Sequence, residues 1–210
     1  TSASRLIGGP EHVLIREDIR ALRPHVWNPR PTSSPCRIAL RLGGTDGDGA
    51  APSLLALLRG LSSVTHIDVS PSTPGTVRAL RDLSPESNQR IHLTQAGPDS
   101  FRSAANTDVV ITSAGVSAWE FACAGVPQIL VETSLDQRPN VDWFVSHGCG
   151  ASIGTLAQIQ SDSRSATERL QELLADKAGL QLRARTAWER IDGLGAERVA
   201  QAIQSLAAAQ

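Results

Sequence analysis

One stretch limits the fold more than any other. Asp108-Val109-Val110-Ile111-Thr112 is an apolar run of strand length that ends in the small residues Ser113, Ala114 and Gly115. A helical segment follows up to Gly125, then a second apolar run at Gln128-Ile129-Leu130-Val131. Strand, tight turn and helix in this order make an anion site. The N–H groups of a first helical turn have no partners within the helix, and the helix dipole favours negative charge there. Glu120 lies one turn further in, where a carboxylate reaches a ribose. The run therefore suits a nucleotide diphosphate. A local alternative exists, because Ser117-x-x-Glu120 has the spacing of a capping box. The apolar strand and the small residues before it favour the ligand site.

The same alternation runs through the chain. Strands are expected over residues 38–42, 64–69, 91–93 and 151–153 as well as the pair above. Helices are expected over 53–61, 74–82, 99–105 and 136–147. From about Arg164 onward the chain reads as helical, with interruptions at Lys177-Ala178-Gly179 and Asp192-Gly193-Leu194-Gly195. Regular alternation of this kind implies an α/β fold: a Rossmann-like, doubly wound, mostly parallel sheet covered on both faces, with C-terminal helices. In such sheets ligands bind beyond the carboxyl ends of the strands, near the switch point. Gly43-Gly44 and Ser113-Ala114-Gly115 both fall at expected carboxyl ends, so they are expected to face one crevice.

Residues 1–36 read differently. Gly8-Gly9-Pro10 signals a turn, and Pro24, Pro29, Pro31 and Pro35 break up the rest. Val13-Leu14-Ile15 is a short apolar patch suited to packing on a neighbouring domain. This lead-in is expected to connect domains, with residues 37–210 forming the ligand-binding domain.

The formal net charge is -1 in 210 residues, which argues against a nucleic-acid partner held by a basic surface. Aromatic residues make up 3% of the chain, so the core must come from Leu, Val, Ile and Ala. Cys36, Cys123 and Cys149 are widely spaced, with no C-x-x-C pair, and no histidines stand at metal-ligand spacing. Reduced thiols in a cytoplasmic protein, with no metal or other cofactor, are expected. No apolar run reaches bilayer length.

Three loops hold the candidate ligand groups. The glycines after residue 42 allow close backbone approach to a ligand and positive φ. Asp46-x-Asp48 resembles the start of a calcium loop, but Ala50, Ala51 and Pro52 stand where further oxygens are needed. In Thr133-Ser134-Leu135-Asp136-Gln137-Arg138-Pro139-Asn140, the side chains of Asp136, Gln137 and Asn140 can bond sugar hydroxyls, although Asp136 is also a good N-cap. His66 and His92 read as core or surface histidines, and His147 as the end of a helix. Trp119, Phe121, Trp143 and Phe144 read as core. Arg183, Arg185 and Arg190 read as a solvated helix face.

The order of these motifs is a Gly-Gly loop, Ser-Ala-Gly-x-x-x-x-Glu, Gly-Val-Pro and Asp-Gln-x-x-Asn. It resembles the C-terminal, donor-binding half of GT-B glycosyltransferases. The likeness is closest to the UDP-sugar hydrolase of pseudaminic acid biosynthesis and the spore-coat polysaccharide glycosyltransferase-like proteins. The peptidoglycan N-acetylglucosaminyltransferase that makes lipid intermediate II is more distant. Residues 9–16 and 192–199 also look like the hydrolase subgroup. The resemblance implies a set of roles. Gly43 and Gly44 lie beneath phosphates or sugar, and Ser113, Ala114, Gly115, Val116 and Ser117 meet the diphosphate. Glu120 bonds the ribose, Thr94 and Gln95 border the base, and Asp136, Gln137 and Asn140 orient the donor sugar. Val116-Ser117 departs from the family, which often has a second Gly or a Ser-Thr pair there, and would narrow the phosphate pocket.

The expected ligand is UDP or a UDP-sugar, and the expected activity of the full-length protein is glycosyl transfer or sugar-nucleotide hydrolysis. The resemblance implies an N-terminal half upstream of Thr1, or a partner subunit, that carries the acceptor and the catalytic groups. This chain alone is then expected to bind the donor without turning it over. The alternative is a stand-alone nucleotide-sugar-binding subunit of a two-component transferase. A nicotinamide-binding domain is disfavoured because no Gly-x-Gly-x-x-Gly opens a helix after the first strand.

Overall fold

The structure is a computed structural model that describes residues 7–30, 36–43, 49–70, 77–78, 89–95 and 97–208. Among the described residues, six strands form one sheet: β1 (Cys36–Arg41), β2 (Val64–Val69), β3 (Arg90–Leu93), β4 (Val109–Ser113), β5 (Gln128–Glu132) and β6 (Ala151–Thr155). Their order is β3-β2-β1-β4-β5-β6, and every neighbouring pair is parallel. The order reverses between β1 and β4. The switch point therefore falls where the two expected loops leave the sheet.

The described helices are α1 (Glu17–Arg20), α2 (Ala50–Arg59), α3 (Pro98–Ala105), α4 (Val116–Cys123), α5 (Arg138–Ser146), α6 (Leu156–Ser161), α7 (Ser163–Ala175), α8 (Lys177–Arg190) and α9 (Gly195–Ala208). The sheet is buried from both sides, which explains why β4 and β5 read as continuous apolar runs. Ile38, Leu40 and Ile111 face one layer with Leu54, Leu58 and Leu170. Ala39 and Val110 face the other, with Phe101, Phe121 and Phe144.

Most expected elements lie within a few residues of the observed ones. The helix expected over 74–82 falls almost wholly outside the described residues. Three local corrections stand out. The interruption placed at Lys177-Ala178-Gly179 is at Asp176 instead. Its Oδ1 accepts from the Gly179 amide at 2.9 Å, so Asp176 caps α8 and the three residues form its first turn. The segment expected as one helix over 136–147 begins as a 3₁₀ turn at Leu135–Gln137 before α5. Six-residue α6 went unforeseen. It is started by a true capping box, in which Thr155 Oγ1 accepts from the Gln158 amide and Gln158 Oε1 accepts from the Thr155 amide.

Residues 7–30 pack on this same domain. Ile15 and Ile19 enter the core, while Leu14 stays exposed. The physical reason lies at the ends of two helices, where the last carbonyls have no partner within the helix. Arg23 donates to the Cys123 carbonyl at 2.8 Å, and Arg30 to the Ala124 and Gly125 carbonyls at 3.1 and 3.2 Å. Arg30 also donates to the Ala105 carbonyl, so it ties the ends of α3 and α4 together. Trp27 closes over the turn after α4, where Gly125 has φ +66°. A Cβ there would stand 2.8 Å from the Trp27 ring and 3.3 Å from Trp188. Gly125→Ala is therefore expected to cost about 1–3 kcal/mol, combining left-handed strain and overpacking, as read from urea denaturation. A loss below about 0.5 kcal/mol would show that the lead-in yields freely at this point. No helix among the described residues is long and apolar enough to cross a membrane.

Candidate functional site

A cavity of about 300 Å³ opens at the carboxyl ends of β1 and β2 and the first turns of α3 and α4. Arg41, Leu42, Gly43 and Ser70 line it from the sheet. Gly97, Ser100 and Phe101 come from the start of α3, Ser117, Glu120 and Phe121 from α4, and Arg16 from the lead-in.

The two loops predicted to share a crevice touch each other, although Gly43 lines the cavity and Ser113, Ala114 and Gly115 do not. Ser113 Oγ is buried and donates to the Leu42 carbonyl at 3.1 Å, binding the ends of β1 and β4 together. Gly43 has φ +74°, which a side chain would strain, and the Ser113 hydroxyl lies beside it. Gly44 lies outside the described residues.

Helix α4 has Gly115 as its N-cap and no side-chain cap. The capping box allowed by Ser117-x-x-Glu120 is not built, because Ser117 already sits within the helix. Glu120 is turned into the cavity wall and is 4% exposed. Its Oε1 accepts from Arg16 Nε at 2.9 Å. The helix start thus keeps its donors free of side-chain caps, next to a buried carboxylate. Ala114 is fully buried, and its carbonyl accepts from Asn140 Nδ2 at 2.8 Å. Val116 is exposed beside the turn, and Ser117 lines the cavity.

The other expected site residues divide by environment. Gln137 is buried, and its Oε1 accepts from the Thr133 amide at 3.0 Å and the Thr133 hydroxyl at 3.2 Å, closing its own loop. Asp136 and Gln95 are exposed. Thr94 is half-buried and donates to Asp68 Oδ1. None of these four lines the cavity.

Sequence reasoning gave no role to Arg16 or Arg41. Arg41 carried a visible signal, being a cation directly after the apolar run Ile38-Ala39-Leu40 at the end of β1. It is buried and pairs with Asp68, with Nη2 2.8 Å from Oδ2. Burial pushes the Arg41 guanidinium down and Asp68 opposes this. Burial pushes the Asp68 carboxyl up, but the Ser103 and Thr94 hydroxyls and Arg41 outweigh it and hold the group below its ordinary value.

Acid, base and nucleophile candidates are few. Among the described residues, Glu120 is the one carboxylate in the cavity lining, and no histidine or cysteine joins it. All three cysteines are free and buried. Burial pushes the Cys36 thiol up to about 12 and the Cys149 thiol to about 11, so both stay protonated near neutral pH. His66 and His92 are exposed, and His147 ends α5 with its ring stacked on Trp143.

No known sequence family and no curated protein matches this chain. Solved structures do. MurG of Acinetobacter baumannii superposes with a TM-score of 0.66 at 16% identity, over 98% of this chain and 57% of its own. The spinosyn rhamnosyltransferase SpnG, complexed with thymidine diphosphate, gives 0.59 at 22%, over 76% and 42%. MnaA of S. aureus, in a structure with UDP, gives 0.61 at 14%, over 80% and 46%. The chain spans about two-fifths to three-fifths of the length of these proteins. At such identities the likeness speaks to architecture, and it agrees with the strand order found here: the chain has a Rossmann-like α/β fold of the GT-B glycosyltransferase type.

Proposed function

We infer that the cavity holds the nucleoside diphosphate of a nucleotide-sugar donor, UDP or a UDP-sugar. The observation that carries this reading is Glu120, a buried carboxylate in the wall of a switch-point cavity, beside a helix start without a side-chain cap. In this reading the amides of Gly115, Val116 and Ser117 meet the diphosphate, where the helix dipole adds to their hydrogen bonds. Glu120 accepts from ribose hydroxyls. Gly43, with Gly44 after it, lets the backbone approach the phosphates. Thr94 and Gln95 border the base from the end of β3. Asp136 is the exposed member of the sugar-facing group. Asn140 and Gln137 act by holding their loops, since both already bond backbone atoms. Two of the similar structures carry a nucleoside diphosphate, UDP in one and thymidine diphosphate in the other, which supports the ligand class.

The full protein is then a glycosyltransferase or a sugar-nucleotide hydrolase. Both reactions break the bond between the anomeric carbon and the diphosphate, and positioned donors stabilise the departing charge. An upstream half or a partner subunit supplies the acceptor side and decides between hydroxyl and water. Titration calorimetry of the folded chain with UDP, CDP, GDP and thymidine diphosphate tests the site. UDP is expected to bind most tightly. A folded sample that binds none of them up to millimolar concentration would sink the reading.

A further inference from the structure

Arg41 lines a cavity assigned to a diphosphate, yet it has no hydrogen left for one. A guanidinium carries five N–H donors. Arg41 Nε donates to the Ser100 carbonyl at 3.2 Å, and Nη2 to the same carbonyl at 3.1 Å and to Asp68 Oδ2 at 2.8 Å. Nη1 donates to the Leu40 carbonyl at 3.1 Å and the Asp68 carbonyl at 2.8 Å. All five are engaged within the protein. Asp68 in turn accepts from Ser103 Oγ at 2.5 Å and from the Thr94 hydroxyl.

These bonds join the ends of β1, β2 and β3 to the first two turns of α3. Ser100 and Phe101, on that helix, are cavity wall. Phe101 stacks on Phe121 with ring centroids 4.5 Å apart and planes 7° from parallel, and Phe121 adjoins Glu120. The wall is thus held from two sides, by Arg41 at the Ser100 carbonyl and by α4 through the stacked rings.

We propose that the Arg41–Asp68 pair is a positioning clamp that sets the α3 wall of the cavity and thereby which nucleotides fit it. Arg41 does not touch phosphate. A buried pair of this kind gives little net stability over apolar packing, so geometry is the better reason for its presence. The proposal rests on the nucleotide reading of the same cavity.

Arg41→Lys tests it, because an ammonium keeps the charge but cannot bridge the Ser100 carbonyl and Asp68 in one plane. Dissociation constants for the four nucleoside diphosphates are measured together with hydrogen exchange of the α3 amides. The expected result is a loss of about tenfold for the best ligand, the size of one ligand hydrogen bond spoiled by the displaced wall, with a smaller loss for the worst. Faster exchange in the first turns of α3 should accompany it. Ser103→Ala, which removes one hydroxyl from Asp68, should move both readouts the same way by less, and it carries the test if Arg41→Lys does not fold. Affinities that fall in equal proportion across the panel, or unchanged α3 exchange in a folded variant, would overturn the clamp. Wild-type protein that binds no nucleotide would overturn the donor-site reading instead, and α3 exchange would then judge the clamp alone.

Discussion

Glu120→Gln is expected to weaken UDP binding by about 1.5–3 kcal/mol, the range for losing a hydrogen bond to a charged group. It should leave Tm nearly unchanged. The substitution keeps the shape of a side chain that is 4% exposed, removes its charge and exchanges one acceptor oxygen for an NH2 donor. Arg16, its partner, is half exposed and returns to water, and an ion pair with one solvated member contributes little to folding. No capping box is lost, because none is formed around Ser117. Calorimetry and thermal melting on one preparation separate the possibilities. Unchanged affinity together with a lowered Tm would mean that Glu120 serves the fold and not the ligand.

Phe144→Ala is expected to cost about 3–5 kcal/mol of folding free energy, the range for deleting a buried aromatic ring. Phe144 is fully buried. Its ring lies 4.5 Å from Trp119 and 5.4 Å from Trp143, centroid to centroid. Trp119 belongs to α4, the helix that carries Glu120, and Phe144 to α5, the helix whose Asn140 holds the Ala114 carbonyl. The ring thus joins the two helices that flank the turn at 113–115. Urea denaturation should show a lower midpoint with an unchanged slope. A cost below about 1 kcal/mol would mean that the pocket collapses around the deletion and that α4 is held by other contacts.

How far the site could be read in advance depended on the range of the forces involved. The turn at 113–117 was legible because a strand, small residues and a helix leave a local signature. Glu120 was legible as a residue one turn inside that helix, but its environment was not. Two local readings, cap or ligand contact, shared one spacing, and the fold removed the first by starting α4 at Val116, with Ser117 inside the helix and the carboxylate buried. Gln137 shows the reverse case. Its type and position suited a sugar, yet the folded loop turns its oxygen onto Thr133. The first turn of α8 was misread because Gly179 signals a break, whereas Asp176 three residues earlier supplies the cap that lets the helix begin.

The sequence by itself determined the α/β alternation, the parallel sheet and the place of the turn before α4. These follow from apolar periodicity, small residues and helix ends, all local properties written in consecutive positions. Only the tertiary structure decided which polar groups are paired. Arg16 meets Glu120 across 104 positions, Arg41 meets Asp68 across 27, and Arg30 reaches the end of α4 across 94. Each of these side chains is long enough to bond many partners. Burial of the backbone around it selects one, because a charge or a carbonyl removed from water must be satisfied wherever the packed chain brings a complement within reach.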